Sequence, residues 1–208
     1  MSLYTLLGAL EIGLIFSLVA LGVYISFRLL RFPDLTVDGS FPLGGAVAAT
    51  LIASGVDPFL ATLVATFAGA LAGLLTGWLN VRLKIMDLLA SILVMIALYS
   101  INLRIMGKPN VPLIMEPTVF AVLQPEMMVD YVFRPLLLAG IVIVAKLGLD
   151  AFFATDTGLG IRATGSNPRM ARAQGVNSGA MVLAGMALSN AFVGLAGALF
   201  AQTQGGAD

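Results

Sequence analysis

The chain has 208 residues, 59% of them hydrophobic and only 11% charged, with 11 Lys and Arg against 11 Asp and Glu. A soluble domain carries about 25% charged residues, so the composition points to lipid as the solvent, and six helices of about 20 residues would absorb most of the apolar content. With no Cys and no His, disulfides, thiolate sites and the commonest metal ligand and general base are excluded, and the balanced charge speaks against a nucleic-acid partner.

In chain order, Met1 to Phe27 forms a first apolar span interrupted only by Glu11, with Arg28 and Arg31 after it. A cleaved signal would carry its basic residues before the apolar run. The stretch 39–56 is uncharged but holds Pro42, Gly44, Gly45 and Gly55. It reads either as a full span or as a broken, re-entrant one, which is tolerated only where protein or water covers the backbone. A third span runs from Pro58 to Val81 and a fourth from Leu88 to Leu103. Residues 105–134 carry Pro109, Pro112, Pro117 and Pro125 with Glu116, Glu126 and Asp130, and read as an extramembrane loop near the interface. Pro135 to Phe153 and Val182 to Phe200 are the fifth and sixth spans, separated by a polar, glycine-bearing loop. The expected fold is therefore all-α. It is a single transmembrane domain over residues 1–208, a polytopic bundle of about six transmembrane or re-entrant helices.

Alternating the loops puts Arg28, Arg31, Arg82, Lys84, Arg162, Arg169 and Arg172 on one side and Arg104, Lys108 and Arg134 on the other. The richer side is the cytoplasmic one, and the loop at 156–178 lies there. In that loop Ser166 or Asn167 can cap a short helix beginning at Pro168. Gly158, Gly160 and Gly165 are expected at turns and Gly175 at the helix end. Without further information this is equally an ordinary basic loop.

Three further sets of residues are candidates for a role. Gly69, Gly73 and Gly77 give the third span a small-residue face for close helix approach. That face serves packing within the chain, a dimer seam or a pore wall. Glu11, Asp34, Asp38 and Asn190 are candidates for the solute pathway, since ionisable groups at membrane depth are costly and often functional. Asp34 also suits a cap on the second span, and Asn190 an interhelical hydrogen bond. Lys146 and Asp150, four apart, suit an intrahelical pair. No catalytic or metal-ligating set emerges.

The pattern G-x-x-x-R-A-x-G-x-N-x-x-x-A-x-x-x-G, carried by Gly158, Arg162, Ala163, Gly165, Asn167, Ala171 and Gly175, resembles the cytoplasmic coupling loop of ABC importer permeases. The similarity is to the family that serves branched-chain amino acids, ribose and related solutes. The run from Leu18 to Ala49 resembles that family's first hairpin. Here Asp34-Leu35-Thr36-Val37-Asp38 stands where amino-acid members have Asn-Leu-Ala-His-Gly, a form similar to a branch linked to binding proteins for aromatic amino acids.

The resemblance covers roughly residues 5–205. It implies a multi-pass protein of the bacterial cell (inner) membrane that moves a small organic solute inward, an amino acid or an analogue. It implies a second permease subunit, as a homodimer, and an extracytoplasmic solute-binding protein. A cytoplasmic ATPase would hydrolyse the ATP and dock on Gly158–Gly175, Arg169 included. This chain would then bind no cofactor and catalyse no reaction. Arg162 would pair with an ATPase carboxylate or cap local carbonyls. Family members usually carry further spans, so a truncated chain is expected. The competing reading is an ion-coupled secondary transporter using a midplane acid such as Glu11.

Overall fold

A computed structural model describes residues 3–113, 116–124 and 129–207. Helix α1 (Leu3–Val23) continues into a π-helical turn (Tyr24–Leu29), followed by α2 (Val37–Ala53), α3 (Pro58–Leu83) and α4 (Asp87–Met106). A two-residue strand β1 (Val111–Pro112) and a short helix α5 (Val119–Leu123) form the long loop. Then come α6 (Asp130–Phe153), α7 (Asp156–Ser166), α8 (Pro168–Ala173), α9 (Ser178–Gln204) and β2 (Gly206–Ala207). Five segments are long and apolar enough to cross a membrane: Thr5–Leu29, Pro58–Leu83, Asp87–Met106, Tyr131–Phe153 and Ser178–Gln204. The protein is a polytopic helical membrane protein. Pro125 and Glu126 of the long loop lie outside the described residues.

Helix α9 is the hub, packed on α1, α2 and α3. Residue pairs along it fix the direction of its neighbours. On α3, Thr62 meets Gln202, Gly73 meets Asn190, and Gly179 meets Val81, so α3 runs antiparallel to α9. On α1, Phe16 lies by Phe200 and Gly22 by Ser189, again antiparallel. Ser40 meets Asn190 and Gly45 meets Gly197, so α2 runs parallel to α9.

That last register settles the 39–56 segment. It is neither a full-length span nor re-entrant. Helix α2 has only 17 residues, about 25 Å at 1.5 Å per residue. It starts level with Asn190, the middle of α9, and climbs to the level of Ala201. Residues 30–36 reach that depth because protein surrounds them, Phe32, Asp34 and Thr36 all being buried. Residues 30–53 together still carry the chain from the Leu29 end of the bundle to the opposite end, so the alternation of ends along the chain holds. The end of the bundle where Leu29 meets Gly165 and Val81 meets Gly179 gathers the seven cations named above. The positive-inside rule makes it the cytoplasmic end.

The close approach of the helices depends on missing side chains. A methyl group at Gly44 would overlap the carbonyl of Gly194, and one at Gly73 the carbonyl of Met186 and the Asn190 side chain. Gly69 faces the carbonyl of Asn190 in the same way, whereas a methyl group at Gly77 would press only on the Leu183 side chain, at 3.2 Å. The small-residue face of α3 thus packs within the chain against α9, the first of its three readings. At the opposite end the long loop is tied down. Strand β1 pairs antiparallel with β2, and Gln202 accepts from Val119 N at 2.9 Å while donating to Thr62 Oγ1 at 2.8 Å.

Candidate functional site

Three regions bear on function: a polar knot in the middle, a segment on the cytoplasmic end, and a cavity at the outer end.

The polar knot grows from the sequence Pro33-Asp34-Leu35-Thr36. Asp34 Oδ1 accepts from Thr36 N at 2.9 Å, closing a local turn that delivers the chain into α2. Its other oxygen accepts from Asn190 Nδ2 at 2.8 Å. Asn190 Nδ2 also donates to Met186 O at 3.2 Å, and Asn190 Oδ1 lies 2.6 Å from Ser40 Oγ. Thr36 Oγ1 and Thr76 Oγ1 are 2.7 Å apart, which joins α3 to the same knot. Among the described residues Asp34 is the one charged side chain that is buried. Its hydrogen bonds offset the cost of removing a carboxylate from water.

Two of the pathway candidates lie inside the helix packing. Asp34 and Asn190 are buried, at 3% and 0% exposure, and their polar atoms are engaged inside the chain. They join helices. Asp38 is exposed in the first turn of α2. Glu11 is partly buried, and its charge interacts with Arg134 of α6. Ile12, one residue on, faces the outer cavity in its place.

The cytoplasmic segment is two helices rather than one helix between glycine joints. Gly158, Gly160 and Gly165 all lie inside α7, not at turns, and all three are buried. Their role is close approach. A methyl group at Gly158 would overlap Phe152 O, and one at Gly165 would overlap Leu29 O. Leu29 closes the π-helical turn, where Leu30 N bonds Ile25 O and Phe32 N bonds Ser26 O. Wider turns of this kind are uncommon and recur at functional positions. Ile161 packs in the same corner with Ile25, Leu30 and Met186.

Asn167 caps α8, its Oδ1 accepting from Arg169 N and Met170 N at 3.1 Å each. Gly175 ends that turn with φ +84°. Ala171 is buried, while Arg162, Ala163, Asn167, Arg169 and Met170 are exposed. The Arg162 guanidinium lies 5.9 Å from the centre of the Phe153 ring, a cation–π contact. Neither an Arg162 cap on local carbonyls nor inward-facing glycines were separable from the sequence. The buried positions of the motif hold the segment on the bundle, and the exposed ones form its surface.

The outer cavity, about 700 Å³, lies between α1, α2, α9 and the β1–β2 pair. Phe16, Phe41 and Phe200 form a three-ring cluster on its wall, with centroid separations of 5.8, 6.4 and 5.4 Å. None of these residues carried a sequence signal beyond being apolar in a span.

The family of permease components of branched-chain amino acid transport systems matches residues 5–208. The chain belongs to this family. A tyrosine transport system permease protein of Clostridioides difficile (strain R20291) is 39% identical over 197 residues, covering 94% of this chain and 64% of that protein. The uncharacterized protein RP368 of Rickettsia prowazekii (strain Madrid E) is 36% identical over 203 residues, covering 98% of this chain and 70% of the relative. The permease chain therefore spans about two thirds of the length of these relatives. No solved structure matches it. Family membership and the long apolar helices together place the permease in the cell membrane as a multi-pass protein.

Proposed function

We propose that this permease forms part of the membrane pathway of an ATP-driven importer for an amino acid or close analogue. A separate cytoplasmic ATPase docks on α7 and α8, a soluble binding protein delivers the solute at the outer face, and a second permease subunit completes the pathway. The observation that carries the reading is the build of the cytoplasmic segment. Two short helices present exposed Ala163, Arg169 and Met170, and are seated through Gly165 on the end of α1. Pressure on that surface is transmitted to α1 and α9 directly, because α7 packs on both α9 and the π-helical turn. Amino acids as solutes are supported by the family's description and by the name of the Clostridioides relative. The ion-coupled alternative gains no support from Asp34, whose carboxylate is engaged in hydrogen bonds, or from Glu11, which lies off the outer cavity.

The test is Met170→Asp in the intact permease, co-expressed with the ATPase of its transporter. Met170 is 60% exposed, so folding should be unaffected. Loss of ATPase co-purification and of ATP-driven uptake, with an unchanged unfolding midpoint, is the expected result. Undiminished co-purification and uptake would overturn the docking assignment.

A further inference from the structure

The outer cavity differs in chemistry from a second large opening of the molecule. That second cavity, about 780 Å³ between α3, α5, α6 and α9, is lined by groups such as Phe59, Leu63, Val144 and Leu195. Its surface suits lipid chains. The outer cavity combines the three-ring cluster with the exposed amides of Asn110 and Gln204. The C-terminal end of α9 also borders it through Gln204 and Gly205, the latter with φ +76° and its carbonyl accepting from Leu113 N. A helix C-terminus carries partial negative charge and favours a cation. Gly197, also on the wall, lets α9 close tightly on the Phe41 backbone of α2, which fixes the position of the Phe41 ring.

We infer that this cavity is a subsite for an aromatic amino acid on the pathway. The ring of the solute stacks on the exposed face of Phe16, which is 50% accessible. Its ammonium group points to the carbonyl end of α9, and the Asn110 and Gln204 amides meet the carboxylate. Aromatic pairs prefer offset or edge-on contact at the centroid separations already present in the cluster. The volume lies within the range of small-molecule sites. An aliphatic amino acid would gain burial here but no ring contact. The subsite rests on the importer reading above and gives it a place of entry and a solute class.

The chain has no Cys, so an introduced thiol reports alone. Ile12 lines the cavity and is 43% exposed. In right-side-out vesicles holding the assembled transporter, Ile12→Cys should react with a water-soluble maleimide. Tyrosine should slow the reaction and leucine at the same concentration should not. Adding Phe16→Ala should weaken the protection by about three- to tenfold, the worth of one aromatic contact. An unreactive Cys would show a lipid-filled cavity and overturn the inference. Equal protection by leucine, or protection that survives Phe16→Ala, would overturn it as well. ATP-driven tyrosine uptake by the same vesicles separates the two readings. Uptake without protection removes the subsite and keeps the importer. Protection without ATP-driven uptake keeps the subsite and removes the importer.

Discussion

The seam where α2 and α3 meet α9 and the segment α7–α8 both depend on glycine, yet they use it for different ends. In the seam, Gly44, Gly69, Gly73 and Gly194 bring backbones together along most of a membrane crossing, and a fully hydrogen-bonded polar knot locks the register. In the cytoplasmic segment, Gly158 and Gly165 let α7 approach the backbones of Phe152 and Leu29, with Ile161 and Ala171 buried beside them, while Arg162, Ala163 and Met170 stay exposed. One region is a scaffold fixed along its length. The other is a short segment seated on the end of the bundle with one face exposed. A glycine motif read from sequence does not distinguish them, because contact with a carbonyl inside the chain and contact with a partner both require a small residue.

Breaking the seam should have the largest effect. Gly44→Val drives two methyl groups into the backbone of Gly194, where neither helix can yield without moving the other. The expected loss is about 3 kcal/mol or more, at the upper end of overpacking costs. It is measured as a fall in the folded fraction during denaturant titration in detergent. Gly140→Val serves as the control, since nothing lies within 4 Å of its methyl position. Equal losses at both sites would mean that the seam is no tighter than the periphery.

The knot ranks next. Asp34→Asn keeps the shape but turns an amide N–H toward Asn190 Nδ2, or toward Thr36 N if it flips, so one donor loses its acceptor. An unsatisfied buried donor costs about 1–3 kcal/mol. Asn190→Ala removes the partner, and the double variant should lose less than the sum of the two single losses, as expected for groups in contact. Additive losses would show that the two side chains act independently.

Much of this contrast was legible in the residues. The five long apolar helices, the cation asymmetry and a helix cap at Ser166 or Asn167 follow from apolar run length, Lys and Arg positions and helix-start chemistry. The depth at which α2 begins was not legible. Pro33, Asp34 and Gly39 signal a turn, but only the pairing of Ser40 with Asn190 shows that the turn lies at mid-membrane. Glu11 drew attention as a charge in a span. The face it occupies depends on the rotation of α1 against α6, which periodicity in an almost wholly apolar helix does not record. The outer ring cluster was equally silent, since Phe16, Phe41 and Phe200 come from three helices and meet only in three dimensions.

On the cytoplasmic side, Gly165→Ala tests the seat of α7. The added methyl overlaps Leu29 O, a backbone atom of the π-helical turn. The expected stability loss is about 1–3 kcal/mol, with ATP-driven uptake falling in step as α7 lifts from α1. A variant that folds normally and still couples would mean that the π-helical turn absorbs the methyl without moving α7.

The smallest effect on stability should come from Arg162→Ala. The side chain is exposed and its contact with the Phe153 ring is at 5.9 Å, worth roughly 0.5–1 kcal/mol at such a site. Arg162→Lys keeps the charge but loses the planar stacking surface and the bidentate fork. If Arg162 serves only to brace α7 on Phe153, both variants should shift the unfolding midpoint slightly and leave ATPase affinity alone. If it meets an ATPase carboxylate, the alanine variant should weaken docking by more than its stability loss, and the lysine variant should recover part of it. The exposure of Arg162 beside Ala163 on the same face of the segment favours the second outcome, because there its guanidinium is within reach of a docked partner as well as of the Phe153 ring.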